Sequence, residues 1–440
     1  MGTAARPCAS HKFSATKCDA MPDSIIRLLV LHAEYTDRLS YYDDWLDALY
    51  AAPEFQVVTF NPVLPHEAET LRRLLKEVDA VVLLHSTNGD TTVYLERYAD
   101  LLAERKVPLL SFVGNELNLP GSPIADKRRV FERIRPEWIA TQLLEEAGRF
   151  LFGDLASLGV VAIPHALNTS IFQSRTPQEQ RRIDIGSRTA RYVAHLGDDD
   201  RTRIIGFFER LGRSNRLVVD ISDVRYDRAG WAAFLDRCKG TVATEAGSWY
   251  LERDDATVNE IRRHLLDEAR GLVIPNDSPL RVLGHKLPWS LRAFLRKALR
   301  TWPLRHESAL NEQASHENIY NRFFPGRQKP PVYGKCISSR HFDAIGTRTC
   351  QIMFRGRFND ILVADEHYLA LNEDFSNSED VLARFMDHGE RLRIVDKAHE
   401  HVVAGHTYRH RMRKLYDVLS QRPTESGLIK PISSDPRQQV

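Results

Sequence analysis

The chain has 440 residues, of which 42% are hydrophobic and 27% charged, so its composition is that of an ordinary globular protein too long for one typical core. Its formal charge of +2 at pH 7 gives no reason to expect a nucleic-acid partner. The five cysteines form no CxxC pair, which favours reduced thiols in a cytosolic compartment over a disulfide framework.

The two ends of the chain have the composition of tails. Residues 1–23 lack the apolar central block of a secretory signal, and residues 421–440 are rich in Pro, Ser and Gln. Both segments are predicted to be disordered. No apolar run reaches the length of about 20 residues that crosses a bilayer, so we expect a cytoplasmic protein.

Apolar strands alternate with amphipathic helices from residue 25 onward. Strand-like runs read IIRLLVLHAEY, FQVVTFNP, DAVVLLHS, VPLLSFVG and LGVVAIPHALN, and helical patterns such as EAETLRRLLKEV separate them. This alternation predicts a parallel sheet covered by helices on both faces. Ligands of such sheets bind beyond the carboxyl ends of the strands. The residues expected near that cleft are His32, His85, Ser86, Gly114, Asn115, Glu116 and His165.

The pattern restarts near residue 183, after the polar linker NTSIFQSRTPQEQRR. ARYVAHLG, NRLVVDIS and TVATEAGS are strand-like, and DRTRIIGFFERLG and GWAAFLDRCKG are helical. RHFDAIGTRTCQIMF, which begins at Arg340, predicts a short helix, a turn and a strand from Gln351 to Phe354. We therefore predict an α/β protein with a first domain over 24–177 and a second over 178–420, the second carrying a helical insert over 253–331.

Three short motifs lie in and between these two predicted domains. They are Phe342-Asp343-Ala344 with Gly346, His406-Thr407-Tyr408 with Arg411, and IPHALNTSIF. Through them the chain resembles family 1/family 4-type glycosyltransferases, and CgeB-like glycosyltransferases most closely, from about Ile25 to Leu419 apart from the insert. The resemblance implies the GT-B architecture, in which two Rossmann-like domains with parallel sheets face each other across a cleft. It also implies that the second domain holds most of a nucleotide-sugar donor.

The resemblance places the donor site around the late helix and the start of the second domain. An acid in the helix would accept hydrogen bonds from the donor ribose, since a carboxylate with only acceptor sites suits a vicinal diol. The turn that follows would offer backbone N–H groups and hydroxyls to phosphate, and arginines would bind the diphosphate bidentately. A helix cap that serves only the fold and ordinary surface arginines are the alternatives. The predicted donor residues are, in that order, Asp343; Gly346, Thr347 and Thr349; and Arg188, Arg191 and Arg201.

Two acidic motifs of the second half are candidates for chemistry. In the family an acid faces the donor sugar, and Glu245 in TEAGSW is predicted to be this catalytic group. A solvent-exposed loop acid is the alternative, because a long insert separates Glu245 from the late helix. Asp198, Asp199 and Asp200 have the D-x-D spacing of a divalent-metal site, but acids at a helix start also complement the helix dipole. The second interpretation is preferred, so neither a metal nor another cofactor is predicted.

The first half contributes further candidates at its strand ends. Where retaining members of the family carry a His-Gly pair, this chain has Val-Gly followed by Asn-Glu. A glutamate there would take a catalytic or acceptor-orienting role, and another strand-end histidine would compensate for the missing one. Hydrogen-bonded structural histidines are the alternative. The catalytic candidates are Glu116 and His85, and the acceptor side comprises Gly114, Asn115 and His165.

The insert contains one amphipathic stretch, KLPWSLRAFLRKALRTWPLR, over 286–305. Its apolar residues share one helical face, and Arg292, Arg296, Lys297 and Arg300 lie beside or opposite that face. Packing on its own domain is the preferred interpretation. The alternative is peripheral contact with the inner face of a membrane, where a lipid-linked acceptor would be met.

The sequence favours a glycosyltransferase that moves a hexosyl or related sugar from a nucleotide-sugar donor to a saccharide, lipid-linked or small-molecule acceptor, in polysaccharide or glycoconjugate biosynthesis. No P-loop or G-x-G-x-x-G motif supports an NTPase or a dehydrogenase. A non-catalytic two-domain binding protein and a sugar-nucleotide epimerase of the same fold are the alternatives. The sugar, base, acceptor, stereochemical outcome and oligomeric state stay open.

Overall fold

The computed structural model of the chain describes residues 24–34, 40–64, 68–214, 216–269, 272–274 and 304–421, and these form two lobes, each built on a parallel sheet. The strands of the first lobe are β1 (Ile26–Leu31), β2 (Phe55–Phe60), β3 (Ala80–Leu83), β4 (Leu109–Phe112), β5 (Trp138–Thr141) and β6 (Gly159–Ala162). They form a six-stranded sheet in the order β2-β1-β3-β4-β5-β6. The predicted parallel sheet is confirmed, with β5 as a strand that the sequence analysis did not assign.

Helices cover both faces of the first sheet. They are α1 (Ser40–Ala51), α2 (Ala68–Glu77), α3 (Val93–Glu96), α4 (Ala99–Ala103), α5 (Ile124–Ile134) and α6 (Glu145–Phe152). Consecutive strand residues point to opposite faces, so Val82 packs with Trp45 and Leu49 of α1, whereas Val81 packs with Leu71 of α2. Two apolar layers therefore hold the sheet, and its carboxyl edge stays available for function.

The second lobe has a five-stranded parallel sheet. Its strands are β7 (Ile183–Arg188), β8 (Val219–Ser222), β9 (Cys238–Ala243), β14 (Cys350–Phe354) and β15 (Leu369–Leu371). They lie in the order β15-β14-β9-β7-β8. Two small sheets accompany it: β10 (Ala246–Gly247) pairs with β13 (Lys335–Cys336), and β11 (Leu272–Ile274) pairs with β12 (Leu304–His306).

The helices of the second lobe include the predicted late helix. They are α7 (Asp200–Arg213), α8 (Arg228–Leu235), α9 (Ala256–Glu268), α10 (Glu307–Gln313), α11 (His316–Phe323), α12 (Ser339–Gly346), α13 (Ser378–Met386) and α14 (His388–Gly405). The helix-turn-strand prediction for the segment beginning at Arg340 is confirmed by α12 and β14. The strand predicted at ARYVAHLG is wrong, because Ala194–Leu196 form a 3-10 turn and the strand is β7, further upstream.

The two lobes are joined by two chain crossings that hydrogen-bond to each other. The backbone N–H of Leu167 donates to the carbonyl of His406 at 3.0 Å, and that of Tyr408 donates to the carbonyl of Leu167 at 3.2 Å. The last helix, α15 (Tyr408–Ser420), then packs on the first lobe through Met412 and Leu415. The domain boundary between residues 177 and 178 stays a prediction. That boundary assigns the last helix to the second domain, whereas the helix packs on the first lobe.

Candidate functional site

A narrow crevice opens at the carboxyl ends of β7 and β9, beside the first turn of α12. It is lined by Ser187, Arg188, Thr189, Arg201, Ile204, Ile205, Trp231, Thr241, Val242, Ala243, Thr244, Ser338, Arg340 and Gln351. Its cavity volume is about 30 Å³. Parallel sheets bind ligands at the carboxyl ends of their strands, and helix N-termini bind anions. This strand-end crevice is therefore the candidate functional site.

Two of the crevice arginines are held in place by neighbouring aromatic rings. The guanidinium of Arg188, at the end of β7, lies 3.9 Å from the ring centroid of Phe234 and bonds an aspartate of β8 at 2.8 Å. The guanidinium of Arg201, in α7, lies 3.9 Å from the ring centroid of Tyr192. Stacking fixes the orientation of such groups, which prepares them for phosphate oxygens. The structure thus brings these two predicted residues together, whereas the exposed Arg191 pairs with the half-buried Glu209 outside the crevice.

A third arginine, Arg340, lies in the first turn of α12. Its guanidinium donates to the carbonyl of Arg188 at 2.8 Å. Burial and the charges of Arg201 and Arg225 lower the pKa of Arg340 to about 10. A positive group that is partly desolvated among other positive groups is stabilised by an anion. The crevice therefore has the electrostatics of an anion site.

Three buried polar atoms of the crevice lack a hydrogen-bond partner within the described residues. They are Nε of Arg188, Oγ1 of Thr244 and Oε1 of Gln351, and these residues are 8%, 5% and 2% exposed. A buried polar group left unpaired costs about 1–3 kcal/mol, so such groups are rare in folded proteins. Three of them around one cavity indicate a site built for a polar ligand.

The predicted ribose acid, Asp343, is buried in α12 behind the crevice wall. Its carboxylate accepts a hydrogen bond of 2.9 Å from the indole N–H of Trp231, which itself lines the crevice. Burial and the facing carboxylate of Asp44 in the first lobe hold the pKa of Asp343 well above its usual range. The side chain therefore points toward the other lobe, and the indole separates it from the cavity.

The turn predicted to bind phosphate lies at the opposite end of α12. The hydroxyl of Thr347 donates to the carbonyls of Asp343 and Ala344 at 3.1 Å, and that of Thr349 donates to the carbonyl of Leu235 at 3.0 Å. A Cβ on Gly346 would lie 2.5 Å from the backbone carbonyl oxygen of Phe172, which follows the first chain crossing. The structure thus uses these residues for packing, and it presents the N-terminus of α12 to the crevice instead.

Glu245 follows β9 and is 6% exposed. Its carboxylate accepts hydrogen bonds from the hydroxyl of Tyr333 at 2.5 Å and from the backbone N–H of Phe358 at 2.6 Å. Burial, only partly offset by these bonds, raises its pKa. Glu245 is therefore a held, buried acid rather than an exposed loop residue.

Glu116 follows β4 in the first lobe and is also buried. Its carboxylate accepts from the hydroxyl of Thr141 at 2.5 Å and from the backbone N–H of Gln142 at 2.7 Å, while burial raises its pKa to about 7. Burial and the charges of Glu116 and Glu245 raise the pKa of the Cys336 thiol. The two predicted acids thus approach the same buried side chain from opposite lobes.

The two predicted histidines lie together in the first lobe. The ring centroids of His85 and His165 are 5.2 Å apart, and the indole N–H of Trp45 donates to Nδ1 of His165 at 3.1 Å. The side chain of Gln142 bonds His85 and accepts from the backbone N–H of His165. Burial lowers the pKa of His85 well below its usual range and that of His165 to about 3. Both rings are neutral hydrogen-bonding groups at pH 7.

The predicted acceptor residues Gly114 and Asn115 lie where two strand ends meet. A Cβ on Gly114 would lie 2.4 Å from the carbonyl oxygen of His85 and 2.6 Å from Cα of Gly89. Asn115 has a φ of 49° and its amide donates to Asp90 at 2.9 Å. Glycine is thus required at 114 for the backbones of two neighbouring loops to touch.

We expect Gly114→Ala to lower the thermal unfolding midpoint by roughly 3–10 °C, since overpacking of this kind costs about 1–3 kcal/mol. The added methyl group would meet backbone atoms, which have little freedom to move away. Gly121→Ala is the matched control, because a Cβ there has no neighbour within 4 Å. Equal midpoints for the two variants would contradict the close approach.

The sequence analysis missed one aromatic group between the lobes. The ring of Tyr41, from α1, lies 4.6 Å from that of His165. Burial raises the pKa of Tyr41 to about 12, although the positive charges of Arg225 and Arg340 in the second lobe act to lower it. Tyr41 therefore lies against the histidine pair, within electrostatic range of Arg340 of the crevice. Its only sequence signal was a Tyr-Tyr pair at the start of a helix.

The acid triplet contacts a buried lysine. The ammonium of Lys335 lies 2.6 Å from Asp198 and 2.5 Å from Asp200, where α7 begins. Within the described ranges no group of three His, Cys, Asp or Glu side chains has the geometry of a metal site. No helix of that part of the chain is long and apolar enough to span a membrane. The amphipathic stretch over 286–305 lies outside the described residues except for its last two positions.

The structure has the GT-B architecture predicted from the sequence. Two lobes, each with a parallel sheet, are joined by two chain crossings, and the last helix returns to the first lobe. Residues 260–417 match the family described as glycosyl transferase-like. A search of curated proteins found no significant match.

Similar solved structures cover most of the chain at low identity. An alpha-glucosyltransferase in complex with UDP and a 13-mer DNA containing an HMU base is 11% identical over 90% of this chain and 100% of its own, with a TM-score of 0.47. HepE of Anabaena in complex with UDP-glucose is 8% identical over 90% and 100%, with a TM-score of 0.49. Sucrose-phosphate synthase of Thermosynechococcus elongatus is 10% identical over 89% and 99%, with a TM-score of 0.44.

Proposed function

We propose that the protein is a glycosyltransferase that uses a nucleotide-sugar donor. The observation that carries this proposal is the strand-end crevice. Three arginines, the N-terminus of α12 and three polar atoms that have no partner among the described residues surround one cavity there. A saccharide, lipid-linked or small-molecule acceptor completes the reaction. The CgeB-like subtype, a hexosyl donor and a cytoplasmic location are parts of the same proposal.

The donor diphosphate would lie against Arg188, Arg201 and Arg340. Guanidinium groups and helix N–H dipoles stabilise the negative charge that develops on a leaving diphosphate. These groups supply the positive potential, so the proposed mechanism uses no metal ion to stabilise the negative charge of the leaving diphosphate. The donor ribose would reach Asp343 once the indole of Trp231 turns aside.

The present crevice is too small for a whole nucleotide. Ligand pockets of that kind measure about 300–1,000 Å³, so crevice side chains must move when the donor binds. The lobes already contact each other, since Arg228 bonds Asp44 at 3.0 Å and Arg357 bonds Glu146 at 3.0 Å. Opening of these contacts would admit the donor, and closure would exclude water from the reaction.

The reacting groups would come from the lobe interface. Glu116 has a pKa near 7, which suits proton transfer at neutral pH, and Glu245 lies in the facing lobe. We keep Glu245, Glu116 and His85 as proposed catalytic groups, with Gly114, Asn115 and His165 on the acceptor side. Transfer with either retention or inversion fits this arrangement.

A donor-binding protein without transferase activity is the second candidate. It is favoured by one observation: both carboxylate oxygens of Glu116 and of Glu245 already accept hydrogen bonds inside the protein. Such groups would have to exchange these partners before they could act on a substrate.

Binding and turnover measurements separate these candidates. UDP-, GDP- and ADP-sugars would be tested for thermal stabilisation, and the best donor would then be assayed with candidate acceptors for transfer. Stabilisation with transfer supports the glycosyltransferase, and stabilisation without turnover supports the binding protein. Release of free nucleotide or an altered sugar without any acceptor would favour the epimerase. Absence of stabilisation by every nucleotide sugar would contradict all three.

A further inference from the structure

A second cavity lies in the second lobe, outside the strand-end crevice. It has a volume of about 510 Å³ and lies between the start of α7 and helix α11. We name it the aromatic groove. Its lining includes Asp199, Trp249, Tyr250, Glu317, Tyr320 and Glu373.

The walls of the groove are aromatic and well supported. Along α11, the rings of His316 and Tyr320 lie 5.8 Å apart, and those of Tyr320 and Phe324 lie 5.7 Å apart, in near-parallel planes. Tyr250 packs on Phe324 at 4.7 Å between ring centroids. A small apolar cluster that includes Ile319 lies beneath these rings. These contacts hold the rings in place, and Tyr320 is 36% exposed on the groove surface.

Hydrogen-bond acceptors also line the groove. Asp199, Glu317 and Glu373 present carboxylates, which only accept hydrogen bonds, and the amide of Asn321 can both donate and accept. The ammonium of Lys329 lies 5.6 Å from the ring centroid of Trp249. Aromatic rings contact the C–H faces of a sugar, and carboxylates accept from its hydroxyls. A hydroxylated ring ligand matches this combination better than a phosphate, which carboxylates repel.

The groove lies beside the strand-end crevice. Asp200 lines the groove, whereas the next residue, Arg201, lines the strand-end crevice. The ring of Trp249 contacts that of Tyr333 at 4.9 Å, and Tyr333 donates its hydroxyl hydrogen to Glu245. A chain of sugars held in the groove would therefore extend toward the donor.

We propose that the aromatic groove binds a saccharide chain as an acceptor or product subsite. This inference rests on the proposed glycosyltransferase function and names the substrate class that it would extend. The residues from the 253–331 insert build one wall of the groove, so the subsite belongs to an elaboration of the second lobe rather than to its sheet.

Titration calorimetry with neutral hexasaccharides tests the proposal on the full chain. Maltohexaose, cellohexaose and chitohexaose are the probes, each with wild type, Tyr320→Ala and Glu317→Gln. At least one probe is expected to bind, and each substitution is expected to weaken that binding about tenfold. Tyr50→Ala, which changes a tyrosine 56% exposed on the first lobe, is the matched control and is expected to bind as wild type does.

Two results would overturn the saccharide subsite. One is the absence of binding for all three hexasaccharides, and the other is binding that Tyr320→Ala and Glu317→Gln leave unchanged. Spermidine is a further probe, and a groove that binds it but no hexasaccharide would be a cation site instead. UDP binding, measured on the same samples, separates failure of the groove from failure of the proposed function, because Tyr320 lies outside the strand-end crevice.

Discussion

Arg340→Met is expected to weaken nucleoside diphosphate binding by roughly 30- to 1,000-fold, or about 2–4 kcal/mol. Arg340 lies in the first turn of α12 with its pKa lowered by burial and by two neighbouring arginines. An anion would relieve that repulsion, so its affinity depends on this guanidinium. The same repulsion opposes folding, so the free variant is expected to be as stable as wild type or more stable.

Opposite changes in binding and stability distinguish a ligand site from a structural contact. Calorimetric titration with UDP, GDP and ADP and thermal unfolding of the free protein measure the two quantities. Arg216→Met, which removes an exposed arginine paired with Glu379, is the control and should alter neither by much. Normal nucleotide affinity in Arg340→Met would contradict the proposed anion site. A large loss of stability in the free variant would show that Arg340 has a structural role.

Asp343→Asn is expected to change both the pH dependence of stability and the affinity for nucleotide. The folded protein raises the pKa of Asp343, mainly by burial, so the protonated acid is favoured in the fold. The stability that this group contributes is therefore present at low pH. It is lost as the pH rises from the pKa of Asp343 in the unfolded chain, about 3.9, toward its pKa in the folded protein. Asparagine cannot ionise, and its carbonyl oxygen can still accept from Trp231.

The thermal unfolding midpoint of Asp343→Asn relative to wild type is thus expected to rise as the pH increases above about 4. Nucleotide affinity is expected to fall about tenfold, because the acid can ionise and accept from both ribose hydroxyls when the donor binds, whereas the amide keeps an N–H donor at every pH. Asp380→Asn, an exposed aspartate in the first turn of α13, is the control. Unchanged nucleotide affinity would contradict the ribose role, and a flat pH profile would contradict the buried protonated acid.

The sheets were predictable where strands read as continuous apolar runs. β1, β3 and β4 are such runs, because helices cover both of their faces. β7 reads IDIGSR and was missed, since its polar residues are buried and paired: Lys239 bonds Asp184 at 2.8 Å. β5 has only four residues, and short apolar runs do not distinguish strand from helix.

The position of the candidate site was predictable, but the end of α12 that faces the crevice was not. The segment beginning at Arg340 was correctly assigned to a helix and a strand, yet phosphate was expected at Gly346, Thr347 and Thr349. Local sequence does not show which end of a helix faces the cleft. That depends on packing, here on the approach of Gly346 to the first chain crossing.

The placement of Trp231 in front of Asp343 was also beyond sequence reasoning. The two residues are 112 positions apart, and their hydrogen bond depends on how α8 and α12 meet. The same holds for Glu116 and Glu245, which come from different lobes and approach one cysteine. Such long-range contacts require the tertiary structure.

Amide hydrogen exchange with and without a saturating nucleoside diphosphate tests the central claim most directly. The donor is proposed to bind at the ends of β7 and β9 and at the start of α12. Protection is therefore predicted to concentrate at 187–189, 241–244 and 338–340. Protection confined to other segments, or none in the presence of UDP, GDP or ADP, would contradict the donor site and the function built on it.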